Sequence, residues 1–306
     1  MRKAFVDALV NAAEKDNRVM LLVGDLGYGV VEPFSDKYPG SFVNAGVSEQ
    51  NMTGVAAGLA IGGKVVFTYS IANFPTIRAL EQIRNDIVYH RLPVTIVAVG
   101  TGFSYGVLGY SHHAVEDISV LRCLPGMRVL SPSTDSEVAQ CVKLILSSPA
   151  PTYLRLDKDP ILDQEPLDRQ DVSKPRKRFS LGSEIVVLST GSIAGSVDDA
   201  LDSLPASAGL KFAHYSLCQI KPMKLSLDQF DQAKFILTVE EHSLSGGFGS
   251  AVLEELEGTN QISKVRRIAI PDVLSELVGS ASFLRKESHL DSVSLAKTFM
   301  DFANRI

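Results

Sequence analysis

The stretch NAGVSEQNMTGVAAGLA (44–60) sets a carboxylate, Glu49, between Ser48 and Gln50, where an apolar run gives way to a segment of small residues. Ser48 has the chemistry of a helix N-cap, and an acid at the first helical position is favoured by the unpaired N–H groups and the helix dipole. The stretch therefore predicts a helix starting at Glu49. Behind the acid, Gly54, Ala56, Ala57, Gly58 and Ala60 carry so little side chain that another surface can approach closely. Two readings of Glu49 follow: a charge that suits a helix start, or an acid placed there for its chemistry.

Working outward, RVMLLVGD (18–25), KVVFTYS (64–70), PVTIVAVG (93–100), MRVLSPS (127–133) and PTYLRLD (151–157) read as buried strands. FPTIRALEQIRNDIVYH (74–90) and STDSEVAQCVKLILSS (133–148) carry helical spacing between them. Strands apolar on both faces and separated by helices imply a mostly parallel sheet flanked by helices, hence an α/β domain. From Asp157 to about Ser180 the text turns polar and includes Pro160, Pro166 and Pro175, which suits a linker better than a sheet element. The alternation resumes with EIVVLSTG (184–191), LKFAHYSL (210–217), AKFILTVEE (233–241) and SKVRRIAIP (263–271), and a closing helix is expected near 292–306. The expected organisation is a first domain over 1–160, a linker over 161–180 and a second α/β domain over 181–306.

The 306 residues are 45% hydrophobic and 21% charged, close to the globular average, so a sizeable core is expected. A net charge of −5 argues against a general nucleic-acid binder. Cys123, Cys141 and Cys218 are odd in number and widely spaced, which suggests neither a disulfide framework nor a zinc site and suits a reducing cytoplasm. The opening MRKAFVDALVNAAEKD reads as an amphipathic helix rather than a signal peptide. No segment reaches the roughly 20 apolar residues that span a bilayer, so no membrane association is expected.

Two glycine-bearing stretches, GDLGYG (24–29) and GTGFSYG (100–106), end strands but match neither the dinucleotide-binding nor the P-loop pattern. They lie where open α/β sheets place their ligands, and their glycines suit plain turns equally well. In GYSHHAVED (109–117) the side chains of His112 and His113 should diverge, which makes joint metal ligation poor; taken without context, two surface histidines are the commoner account. Phe74, just ahead of a helix expected to begin at Pro75, reads as a core or staple aromatic.

Taken together and in order, GDLG, NAGVSEQNMTGVAAGLA, KVVFTYSIANFPTIRALEQIRND and GTGFSYGVLGYSHHAVEDISVLRCLPGMRVLSPS resemble the C-terminal half of transketolase, and EEHSLSGGFGSAVLEEL (240–256) resembles its C-terminal domain. The resemblance implies a pyrimidine-binding fold followed by a transketolase C-terminal-like domain, with thiamine diphosphate as cofactor. It places Glu49 at the family's cofactor-activating glutamate, which shares a proton with the aminopyrimidine N1′. Phe74 falls on the phenylalanine that stacks on that ring, and His112 on the histidine facing the substrate's carbonyl and hydroxyl oxygens. It also implies cofactor contacts for Asp25, Tyr69 and Phe103, and substrate contacts, including a sugar phosphate, for Arg78 and Lys158.

Where typical transketolases carry a further histidine and an aspartate that read phosphate and hydroxyls, this chain has Gly100 and Leu108, which puts the usual pentose phosphates in doubt as substrates. The family binds the diphosphate and Mg²⁺ through a Gly-Asp-Gly motif and a downstream Asn, and no Gly-Asp-Gly occurs here. The resemblance thus implies the C-terminal subunit of a split transketolase, with an N-terminal partner subunit holding the diphosphate and most of the Mg²⁺ coordination. Self-association would give a heterotetramer with two chains of each kind, acting on a sugar or sugar phosphate. Other thiamine chemistry on the same scaffold, as in deoxyxylulose phosphate synthase or the beta chain of a 2-oxo acid dehydrogenase, stays open, as does a non-catalytic interaction protein.

Overall fold

The computed structural model describes residues 1–158, 160–163, 171–225 and 230–306. The first half runs α1 (Arg2–Ala13), β1 (Val19–Val23), α2 (Glu32–Lys37), β2 (Phe42–Asn44), α3 (Glu49–Ile61), β3 (Val65–Ile71), α4 (Leu80–Gln82), β4 (Val94–Val99), α5 (Asp117–Arg122), β5 (Arg128–Leu130), α6 (Asp135–Ser147) and β6 (Thr152–Leu156). The second half contributes β7 (Arg176–Ser180), β8 (Ile185–Ser189), α7 (Ile193–Asp202), α8 (Ala206–Gly209), β9 (Phe212–Ser216), β10 (Gln219–Lys221), β11 (Phe235–Ser243), α9 (Phe248–Glu255), β12 (Val265–Ile270), α10 (Ala281–Glu287) and α11 (Ser292–Ala303).

The first sheet has the order β10-β5-β6-β4-β3-β1-β2 and the second β12-β11-β8-β9-β7. Pairing is parallel throughout except at two edges, β10 on β5 and β7 on β9. Every residue of β1, β4, β6 and β8 is buried, as expected of strands covered on both faces. On the first sheet, Phe5 and Leu9 of α1 and Val138, Val142 and Ile145 of α6 pack against Leu21, Phe67, Tyr69 and Leu154. The opposite face carries Met52, Ala56 and Ala60 of α3 and Ile118 and Leu121 of α5, and this core continues into Val186, Ile236 and Phe248 of the second half. Among the described residues no helix is long and apolar enough to cross a membrane.

Three local expectations are corrected. Residues 176–180, within the stretch that reads as linker, form an edge strand antiparallel to β9. Its sequence RKRFS looks like linker because an edge strand tolerates charge on its exposed side. The middle of that stretch, 164–170, lies outside the described residues. β10, from the second half of the chain, completes the first sheet, so the boundary expected from composition is crossed by a strand. The helix expected from Pro75 begins only at Leu80 and continues as a π-helical segment, Ile83–Val88. Proline disfavours helical geometry in the residue before it, and the chain spends 73–79 in turns.

The halves are joined by a buried ionic group. Arg155 of β6 pairs with Asp117 at 2.8 Å and Asp157 at 3.6 Å, and donates to the Ala114 and Glu241 carbonyls at 3.3 and 3.1 Å. Burial opposes its charge, but Asp117 and Asp157 outweigh that and hold its pKa above the ordinary value. Asp157 also accepts from the Ser192 N–H at 2.6 Å, and Glu241 from the Phe103 N–H at 2.6 Å and from Arg285.

In the second domain, His214 is fully buried, with Ser189 Oγ 2.7 Å from Nε2 and Asp198 Oδ1 2.8 Å from Nδ1. Arg178 pairs with the other Asp198 oxygen at 2.5 Å. Burial depresses the His214 pKa despite Asp198. A histidine held neutral in the fold contributes stability that is complete above the unfolded value near 6.5 and is lost as pH falls below it. The unfolding free energy from urea titration should therefore drop between pH 7.5 and 5.5, by no more than about 1.4 kcal/mol per pH unit for one proton. His214→Asn should flatten that loss; an unchanged slope would remove His214 as a source of it.

Candidate active site

Loops following β2, β3 and β4 converge at the C-terminal edge of the first sheet, where open α/β sheets bind ligands. Glu49 opens α3 and is 1% exposed. Its Oε2 accepts from Arg78 Nη1 at 2.9 Å, and Ser70 Oγ on β3 lies 3.4 Å from Oε1. Ser48 occupies the cap position, but its hydroxyl donates to the Ala45 carbonyl at 2.7 Å and caps nothing. Of the small residues on α3, Ala56, Ala57 and Ala60 face the core, whereas Gly54 and Gly58 are exposed with nothing near where a Cβ would lie.

Phe74 lies in the turn after β3. The Arg78 guanidinium carbon sits 4.5 Å from its ring centroid, and the His112 ring meets it edge-on at 5.3 Å. Two clefts open here. One, of 340 Å³, is lined by Val47, Ser48, Glu49, Gln50, Asn51 and Arg78. The other, of 440 Å³, includes Asn73, Phe74, Arg78, Tyr110, His113 and Glu116.

The histidines diverge. His112 faces Phe74, while His113 is 1% exposed, edge-on to Phe103 at 5.4 Å and with Nε2 3.2 Å from the Gly106 carbonyl. Asn73 Nδ2 pins this loop by donating to the Ser111 and His113 carbonyls at 3.1 and 2.7 Å. Neither Asn73 nor Glu116 stands out in the sequence, since an amide in a turn and an acid before a helix are ordinary there. Glu116, whose carboxyl is pushed up by burial, accepts from Tyr110 at 3.1 Å.

Asp25 adopts a left-handed backbone (φ 56°) in the segment after β1 and is not among the residues lining either cleft. It accepts from Asn44 at 3.0 Å and Tyr28 at 2.7 Å, which hold its carboxyl below the usual range. Tyr69 and Phe103 are not brought to the trough. Tyr69 points to the other face of β3, stacked on Phe5 at 6.0 Å, with burial raising its phenol far above the ordinary value. Phe103 packs with Val115, Ile193 and Leu284 at the domain junction. Alternation along β3 decides Tyr69: Ser70 faces Glu49, so its neighbour cannot. Lys158 lies in a separate 430 Å³ cleft with Ser104, Ser192 and Asp199.

Gly100 has φ 69°, and a Cβ there would lie 1.9 Å from the Tyr105 ring. A histidine at this position would demand both a different backbone and a different place for Tyr105.

Relationships to known proteins extend over nearly the whole chain. The transketolase pyrimidine-binding domain model matches residues 1–161 and the transketolase C-terminal domain model residues 176–291. The chain belongs to the transketolase family. A protein of Methanocaldococcus jannaschii named as a putative transketolase C-terminal section is 34% identical over 98% of this chain and 95% of its own length. One of the subunits of the apulose-4-phosphate transketolase of Phocaeicola vulgatus is 31% identical over 99% of this chain and 97% of its own length. A solved structure described as a split gene transketolase in an inactive beta4 tetramer superposes with a TM-score of 0.85 at 29% identity, covering 98% of this chain and 96% of that one.

The divergent histidines make a stability test of register. His113→Ala should lower the unfolding free energy measured in urea by about 1–3 kcal/mol through a lost buried hydrogen bond and ring contacts. His112→Ala should stay within about 0.5 kcal/mol of wild type. The reverse order would exchange their assignments.

Proposed function

We propose that this chain is the C-terminal subunit of a thiamine diphosphate-dependent split transketolase. With an N-terminal partner it would transfer a two-carbon ketol unit between sugar or sugar-phosphate substrates. The observation that carries this reading is the buried Glu49 carboxylate in a cleft next to that of Phe74, the two joined through Arg78, with His112 edge-on to the Phe74 ring. Two relatives matched over nearly their whole lengths are named as a C-terminal section and as a subunit of a transketolase, which supports a partner.

The trough fits a flat, nitrogen-bearing ring. It offers a buried carboxylate at one edge and an aromatic face beside it. At Gly24 a Cβ would lie 3.3 Å from Ser70 Oγ and 3.5 Å from Glu49 Oε1, so glycine leaves this space free. When bound, thiamine diphosphate supplies the carbon acid to which the two-carbon unit is attached. Glu49 would hold a proton at the ring nitrogen N1′, and Phe74 would fix the ring plane by stacking. His112, flanking Phe74, would face the substrate's carbonyl and hydroxyl oxygens. Arg78 between the two clefts, and Lys158 in the separate cleft beyond, would be cations suited to an anionic substrate end, and Asp25 a polar group in the segment after β1. Tyr69 and Phe103 would support the walls from behind. These 306 residues contain no Gly-Asp-Gly, so the diphosphate and Mg²⁺ fall mainly to the partner, in a heterotetramer with two chains of each kind.

In the reconstituted complex, Glu49→Gln should fold and assemble normally, because an amide fits the same space. Hydrogen–deuterium exchange at the cofactor's C2 should slow by roughly 10² or more, since an amide has no acidic proton to share. Exchange at the wild-type rate would remove Glu49 from the mechanism. His112→Ala should leave C2 exchange intact while turnover falls by roughly 10² to 10⁴. The chain purified without a partner should show no ketol transfer with thiamine diphosphate and Mg²⁺; turnover by it would overturn the split arrangement.

A further inference from the structure

Among the described residues Arg78 alone is common to the clefts of Glu49 and of Phe74, and so forms the wall between them. Its guanidinium lies over the Phe74 face at 4.5 Å while Nη1 donates to Glu49 Oε2 at 2.9 Å. A guanidinium is a flat, delocalised cation with N–H donors in its plane and a stacking surface above it. It thus offers Phe74 a planar face and Glu49 an in-plane N–H, the same two contacts assigned above to an aminopyrimidine ring.

We propose that Arg78 is an internal stand-in for the cofactor's aminopyrimidine: it fills the ring's place in the cofactor-free chain and is displaced when the ring binds. The inference rests on the reading of this trough as a thiamine diphosphate site. The two partners differ in their freedom to move. The Glu49 side chain is 1% exposed and rooted in α3, whereas that of Arg78 is 47% exposed and leaves the turn segment before α4. Arg78 is therefore the member that yields.

The stand-in answers a problem the fold creates. Without the guanidinium, the contacts shown for the Glu49 carboxylate reduce to Ser70 Oγ at 3.4 Å, a poor exchange for water around a buried charge. Arg78 keeps the acid partnered until a ring arrives. The cofactor must then compete with a tethered cation, which weakens its apparent affinity. Once released, the guanidinium would be free for a substrate anion in the cleft it lines with Tyr110 and Ser111.

The test is calorimetric titration of thiamine diphosphate, with Mg²⁺, into the complex of this chain and its partner. Arg78→Ala should tighten the dissociation constant by about 3- to 10-fold, the scale of a half-exposed ion pair plus a cation–π contact. Arg78→Lys, which keeps the charge without the plane, should fall between Ala and wild type. A second readout is independent of turnover: ¹⁵N spectra of the guanidinium should show hindered Nη rotation in the cofactor-free chain and free rotation after saturation. Equal or weaker binding by Arg78→Ala, or hindered rotation that persists at saturation, would overturn the stand-in and make Arg78 a fixed neighbour of the bound ring. If the wild-type complex binds no thiamine diphosphate, the functional reading itself fails, and the inference falls with it.

Discussion

The Glu49 carboxyl is 1% exposed, and a buried carboxyl is tolerated only where hydrogen-bond partners replace its solvent. That requirement organises the surrounding structure. The alanines of α3 pack the helix onto the sheet and bring its first residue beside β3. Ser70 offers a hydroxyl from the same strand face, and Gly24 keeps the opposite wall low. The remaining demand falls on Arg78, in the loop after β3. A helix-start acid would need none of this, because at an exposed terminus water and the helix dipole suffice.

Parallel pairing then determines what can share the trough. Strands β6, β4, β3, β1 and β2 are neighbours in that order and run the same way, so the segments leaving their C-terminal ends lie along one edge. Asp25, Glu49, Phe74, the loop of His112 and Lys158 all leave that edge. The buried group around Arg155 works behind it. By accepting hydrogen bonds from Phe103 and Ser192, Glu241 and Asp157 lock the second domain against the loop that carries the histidines.

Much of this is legible in the sequence, for identifiable reasons. Apolar runs locate the strands because parallel strands buried on both faces have little room for polar residues, and order and spacing carry Glu49, Phe74 and His112 to their loops. Tyr69 is misplaced by resemblance, which locates a residue along a strand without deciding its face; alternation against Ser70 decides it. β7 reads as linker because edge strands are polar, and β10 escapes notice because three residues carry no period. The pairing of Arg78 with Glu49 cannot be read, since the two are 29 positions apart on different elements.

Gly100 makes the last step physical. Related enzymes are expected to use a histidine there to read substrate, yet this backbone takes a left-handed turn at the position and Tyr105 fills the space a side chain would need. The substitution is built into the fold, because restoring histidine would strain the turn and displace a ring. The expected aspartate position, Leu108, is an exposed apolar residue beside exposed Val107. With polar groups absent from both positions, a substrate bound as proposed above would have to be read by other side chains along the edge, where Lys158 and Arg78 differ in shape and charge from an imidazole and a carboxylate. On the proposed reading, cofactor chemistry and sugar recognition are separable, because Glu49 at the start of α3 and Phe74 in the turn after β3 lie on segments other than the one after β4 that carries Gly100 and Leu108.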